Sequence, residues 1–139
     1  MKIFSHKVAQ RHWSNVDYRK NMSVIGLVQP GGHKEIMAIG SYAQAENHLA
    51  EVAFVVREDF QGMGVASYLL KVLEHIAAEN DYTGFTATVL AENVAMMRVF
   101  KKRYPNAAVH RQDGGEFGLQ MDFADAVDPP VDPSPCACE

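Results

Sequence analysis

The stretch that most restricts the fold runs from His48 to Glu79. It opens on HLAEVAFVVR (residues 48–57), a nearly continuous apolar run of the kind expected for a strand covered on both faces. It passes through Gln61-Gly62-Met63-Gly64-Val65-Ala66 and enters a segment in which Val65, Leu69, Val72, Leu73 and Ile76 recur at helical spacing. Lys71, Glu74 and Glu79 fall elsewhere on the wheel, so this reads as an amphipathic helix of about four turns.

Further strands bracket that unit. MSVIGLVQ (22–29) is β-rich and stops at Pro30-Gly31-Gly32, a turn signal, so EIMAIGSYAQ (35–44) reads as the returning strand of a hairpin. FTATVL (85–90) reads as another strand. Asn93 opens a second helix that carries Met96, Met97, Phe100 and Tyr104 on one side and is closed by Pro105. Residues 107–110 and 117–123 flank Asp113-Gly114-Gly115 as a last hairpin, and residues 11–18 are a candidate short helix. Strands surrounding two long helices indicate an α/β or α+β sandwich. The folded domain is read as residues 1–123. Residues 125–135 hold four of the six prolines and three aspartates, too little apolar surface to offset ordering entropy. Residues 124–139 therefore read as a disordered, acidic, proline-rich tail.

Composition narrows the function classes. With 139 residues, 47% of them hydrophobic, the chain suits one domain with a real core. A formal net charge of −4 argues against a nucleic-acid surface. No apolar run is long enough to span a bilayer, and no membrane partner is expected. The two cysteines, Cys136 and Cys138, exclude a disulfide framework and make a reducing cytoplasm the natural compartment. The final Cys-Ala-Cys-Glu formally matches a lipidation signal, but Glu is an unusual last residue and no basic stretch precedes it. The six histidines show no ligand spacing, so no metal is expected.

The glycine loop carries the chemistry. Without side chains at Gly62 and Gly64, a ligand can approach the main chain, and the helix N-terminus beyond offers N–H groups and partial positive charge to a pyrophosphate. The plainer alternative is a strand-to-helix turn whose glycines serve geometry alone. No Gly-Lys-Ser/Thr follows, so this is not a Walker loop, nor is it the six-residue dinucleotide fingerprint.

Gln61, Gly64 and Ala66 match the Gln/Arg-x-x-Gly-x-Gly/Ala loop of the GNAT superfamily of acetyltransferases, which the chain resembles over roughly residues 3–123. Phe54, Val55 and Val56 look like the end of that family's fourth strand, and Glu92 to Arg98 look like its Asn-led helix. Asn15 to Tyr18, followed by Met22-Ser23-Val24, is similar to the GNAT domain of bacterial protein-lysine acetyltransferases related to acyl-CoA synthetases. One Glu of that pattern is Asn21 here. The resemblance implies a GNAT fold: a mixed, mostly antiparallel sheet flanked by helices, with splayed central strands. It implies acetyl-CoA as cosubstrate, held by Phe54, Val55, Val56, Gln61, Gly62, Met63, Gly64, Val65 and Ala66, with Asn93 and Phe100 contributing from the second helix.

Glu51 interrupts the apolar strand. Alternation puts Leu49, Glu51, Ala53 and Val55 on one face and Ala50, Val52, Phe54 and Val56 on the other. A carboxylate among such neighbours costs several kcal/mol unless paired or wet. A structural ion pair or exposure at a sheet edge would account for it. So would a general base, because an ammonium must lose a proton before its nitrogen attacks a thioester, and partial burial would raise a glutamate's pKa toward the working range. Glu51 also falls where lysine-acetylating GNAT enzymes carry their glutamate base. Many GNAT enzymes place a Tyr acid seven residues after the helix Asn, where this chain has Phe100. Tyr104 lies one turn further on the same face, but its ring suits the core. Asp17 and Tyr18 are candidates for an acceptor groove. The expected activity is direct transfer, in a ternary complex, of acetyl from acetyl-CoA to a primary amine, with a protein lysine preferred. A small-molecule amine acetyltransferase (for a polyamine, aminoglycoside or amino acid) and a non-catalytic CoA-binding module are the alternatives. Monomer and homodimer both stay open.

Overall fold

The computed structural model describes residues 4–7 and 20–127. The short helix expected at residues 11–18, the groove candidates Asp17 and Tyr18, and the two cysteines lie outside them. Seven strands and two α-helices follow one another as β1 (Phe4–Lys7), β2 (Asn21–Val28), β3 (Glu35–Gln44), β4 (Leu49–Val56), α1 (Val65–Glu79), β5 (Gly84–Leu90), α2 (Val94–Arg103), β6 (Ala108–Gln112) and β7 (Glu116–Asp122). The strands form one sheet in the order β1-β2-β3-β4-β5-β7-β6. Every neighbouring pair is antiparallel except β4 and β5. That parallel pair is joined by the α1 crossover, as parallel strands require.

The expected hairpins are present, β2 with β3 and β6 with β7. The helix after the glycine loop is also as expected, 15 residues long, with Leu69, Leu70, Val72, Leu73 and Ile76 at 2% exposure or less. Fully burying one such side chain contributes roughly 1.5–3 kcal/mol, so this stripe holds α1 to the sheet. α1 rests on β2, β3 and β4, and α2 lies beside α1. Phe100 of α2 meets Phe54 of β4 with ring centroids 6.0 Å apart.

Two expectations need correction. β4 is covered on one face, not both: Ala50 and Val52 are buried, whereas Glu51, Ala53 and Val55 are exposed. Both described helices lie on the Val52 face, so the apolar run on the other face cannot be a core requirement. The folded chain also continues past residue 123. Phe123–Asp125 form a short 3-10 turn, Ala126 packs against the core, and the Val127 N–H donates to the carbonyl of Arg103 at 3.0 Å. Among the described residues, no helix is long and apolar enough to cross a membrane.

Candidate functional site

The site begins as a gap in the sheet. β4 and β5 pair only at Leu49–Gly84, Ala50–Phe85 and Glu51–Thr86. Beyond that point β4 stays paired with β3 out to Val56, and β5 with β7 out to Leu90. Each strand is thus held by its outer neighbour while the two diverge from each other. Peptide groups along the inner edges, from Val52 and from Ala87 onward, have no ladder partner across the gap. Two grooves meet β4 here, one beside its second half and one beside its first.

The first groove, of about 540 Å³, runs from Phe54, Val55 and Val56 across the glycine loop to α2. Gln61, Gly62, Gly64, Val65, Ala66 and Asn93 line it as well. Gly62 and Gly64 have φ of +78° and +81°, backbone conformations that L side chains rarely adopt. A Cβ at either would meet nothing within 4 Å, so the loop's surface is open to a ligand. Gly64 is the N-cap of α1 and supplies no side-chain cap, which leaves the first helical N–H groups for another acceptor. Gln61 fastens the loop to the strand by donating from Nε2 to the Val56 carbonyl at 3.1 Å. Asn93 caps α2, its side-chain oxygen accepting from the Met96 N–H at 3.2 Å. Among the described residues, no carboxylate lines this groove, whereas Arg98 and Lys102 both do. On a chain of net charge −4, that is a local cationic surface suited to an anion.

Arg57, next to the loop, is not part of that surface. It grips Asp59 through Nε and Nη2 at 2.8 and 2.9 Å and reaches Glu35 at 3.0 Å through Nη1. Its guanidinium lies 5.0 Å from the Phe60 ring, which lines the groove. Asp59 raises the pKa of Arg57 further, with a second contribution from Glu35. Hydrogen bonds from His33 and then Arg57 hold Glu35 below the ordinary carboxylate range, and Arg57 does the same to Asp59.

The second groove, of about 770 Å³, is bounded by Ser23 of β2, Ser41 of β3, Glu51 and Ala53 of β4, Thr88 of β5 and Glu116 of β7. Its charge is opposite: among the described residues, two carboxylates and no cation line it. Glu51 is exposed to this groove rather than partly buried, so water can solvate its carboxylate. β4 is a common wall, giving Glu51 and Ala53 to the acidic groove and the next three residues to the basic one.

Two expected cofactor contacts fall outside the first groove. Phe100 is 1% exposed and lies under the groove against Phe54, while Met63, at the outer side of the loop, is 54% exposed. Tyr104 is fully buried, and its hydroxyl donates to Glu74. Burial and that carboxylate push the Tyr104 hydroxyl far above its ordinary range. The sequence reading missed Ser67, Arg98 and Lys102 in the first groove and Thr88 and Glu116 in the second. Arg98 and Lys102 stand one helical turn apart, a spacing visible in the sequence. Glu116 gave no such signal, because only the β5–β7 register, Leu90 opposite Glu116, brings it to the gap. Among the described residues, no three His, Cys, Asp or Glu side chains are grouped as a metal site.

Comparison with known proteins matches residues 5–104 to the acetyltransferase (GNAT) family. The acetyltransferase Pat of Mycolicibacterium smegmatis is 38% identical over 90 residues, which are 63% of this chain and 24% of that protein. The acetyltransferase PA5475 of Pseudomonas aeruginosa is 29% identical over 83 residues, 59% of this chain and 45% of that one. The chain thus spans less than half the length of these curated relatives. Among solved structures, the GNAT domain of S. lividans PAT superposes with a TM-score of 0.66 at 28% identity, over 81% of this chain and 66% of that one. A cAMP-binding acyltransferase from Mycobacterium smegmatis superposes with a TM-score of 0.65 at 25% identity, over 81% of this chain and 34% of that one.

Proposed function

This chain belongs to the GNAT family of acetyltransferases, and from that premise we propose that it transfers the acetyl group of acetyl-CoA directly to a primary amine, with a protein lysine as the acceptor. The observation that carries the reading is the pair of oppositely charged grooves sharing β4: a cationic one with an open glycine loop, and an acidic one holding Glu51. The first suits a polyphosphate ester and the second an ammonium group. The preference for lysine rests on the acidic groove and on the likeness to Pat.

In this reading the pyrophosphate of acetyl-CoA lies on the loop amides and the α1 N-terminus, and its pantetheine runs along Phe54 to Val56. The thioester then sits in the gap between β4 and β5, within reach of both grooves. Glu51, acting through water, takes a proton from the bound ammonium. The freed nitrogen attacks the thioester carbonyl, and a β4 N–H near Val56 stabilises the oxyanion. As the tetrahedral intermediate collapses, the C–S bond breaks and the new C–N bond remains. CoA leaves as a thiolate, and solvent protonates it, because Phe100 has no proton to give and Tyr104 is committed to Glu74. Holding the two reactants across one strand supplies the orientation the reaction needs.

The test is acetyl-CoA turnover, read as free CoA released, on lysine-bearing peptides and a panel of small amines, beside thermal stability with each CoA ester. Acetyl-CoA should raise the melting temperature and lysine peptides should be acetylated. Turnover confined to a polyamine, aminoglycoside or free amino acid would replace the lysine assignment. Binding without turnover on any amine would make the chain a CoA-binding module, and no shift with any CoA ester would overturn the reading altogether.

A further inference from the structure

Beside the cationic groove, between α1 and α2, is a smaller cavity of about 100 Å³. Ser67 and Lys71, one turn apart on α1, face Val99, Lys102 and Arg103 on α2, with Leu70 completing the wall. Three cations and a hydroxyl therefore converge on it, and among the described residues no carboxylate lines it. Arg103 is only 5% exposed, and its buried Nη1 has no hydrogen-bond partner among the described residues. A buried guanidinium N–H without an acceptor is costly, and the residue that carries it is part of the cavity's lining. The cavity shares Ser67, Val99 and Lys102 with the larger groove, so the two adjoin.

We propose that this cavity is a phosphomonoester site that receives the 3′-phosphate of the CoA ribose, making the protein selective for CoA over its 3′-dephospho form. The proposal rests on the acetyl-CoA reading of the neighbouring groove. Along the ligand, the pyrophosphate marks the α1 N-terminus and the 3′-phosphate marks the next turn of the same helix. Ser67 belongs to the first turn of α1 and Lys71 to the second, about 6 Å further along the axis. The dianion would lie between Lys71 and Lys102, with the Ser67 hydroxyl donating and Arg103 behind them. Arg103 is oriented for this by its two-point contact with Glu74, which occupies Nε and Nη2 and leaves Nη1.

The experiment is calorimetric titration of the full chain with CoA and with 3′-dephospho-CoA, on wild type, Lys71→Met/Lys102→Met and Ser67→Ala, with inorganic phosphate as competitor. Wild type should favour CoA by about tenfold or more, the size expected for charge-assisted hydrogen bonds to one phosphate. The double lysine variant should lose most of that preference, binding CoA and 3′-dephospho-CoA about equally, and Ser67→Ala should lose part of it. Equal binding of both ligands by wild type would overturn the proposal while leaving the CoA reading intact. So would a preference that survives undiminished in the double variant. If inorganic phosphate binds but does not compete with CoA, the cavity is a free-phosphate site and the assignment to the cofactor is wrong. Failure of both ligands to bind would instead remove the underlying reading of the groove.

Discussion

Arg103 donates Nε and Nη2 to the two carboxylate oxygens of Glu74 at 2.9 and 2.8 Å, and at 5% and 3% exposure the pair is buried between α1 and α2. Burial works against the Arg103 charge, but the Glu74 carboxylate more than offsets it and its pKa is raised. The contact ties the second half of α1 to α2, which lines the other side of the groove. Removing one partner would strand the other charge in the interface. We predict that Glu74→Gln destabilises the fold by about 3–5 kcal/mol, and that Glu74→Met with Arg103→Met costs less than the sum of the single changes. Urea unfolding of the three variants checks both statements.

Tyr104→Phe should separate packing from catalysis. It removes a buried hydrogen bond and should cost about 1–2 kcal/mol of stability. The shape of the pH–rate profile should not change, since the hydroxyl is committed to Glu74. Loss of an alkaline limb in the variant would reinstate Tyr104 as the acid.

Glu51→Gln keeps the shape of the side chain and removes its basicity. Turnover should fall by about 10²–10⁴-fold, the usual contribution of a general base. The dissociation constant for acetyl-CoA should stay near that of wild type, because Glu51 lines the other groove. Full activity with normal binding would rule out its role as base.

Loop and cap can be told apart by two substitutions. Gly64→Ala places a Cβ where φ is +81° and the surroundings are open, so its cost of about 1–2 kcal/mol should come from backbone strain alone. Asn93→Ala removes the α2 cap at about 1 kcal/mol, and Asn93→Asp should recover most of it. Thermal unfolding gives the stabilities, and acetyl-CoA titration of the same proteins reads the effect on the groove.

The Arg57 clamp supplies a pH dependence. Glu35 and Asp59 have folded-state pKa values below their unfolded ones. Their contribution to stability is therefore present above the unfolded carboxylate range and is lost as pH falls through the depressed values. Both groups are exposed, so the effect should be small and should shrink with added salt. Carboxyl NMR titration should show both below the ordinary range, and Arg57→Met should release Asp59 more completely than Glu35, which keeps His33.

The sequence by itself determined the local units. Periodicity marked α1, alternation and turn residues marked both hairpins, and Gly62 and Gly64 marked a strand-to-helix turn, because these depend on neighbours within a few residues. It also placed Glu51 and Val52 on opposite faces of β4, since side chains alternate along any strand. Only tertiary structure decided which face was covered. β4 reads as doubly buried, yet both described helices lie on the Val52 side, so Glu51 is wet and belongs to an open groove. The separation of β4 from β5 past Glu51 was equally invisible, as it depends on register with the outer strands β3 and β7. That register brings Glu116 near a gap whose other side was made more than 60 residues earlier. Packing likewise turned Phe100 under the groove and tied Tyr104 to Glu74, a partner 30 residues away that no local pattern could name.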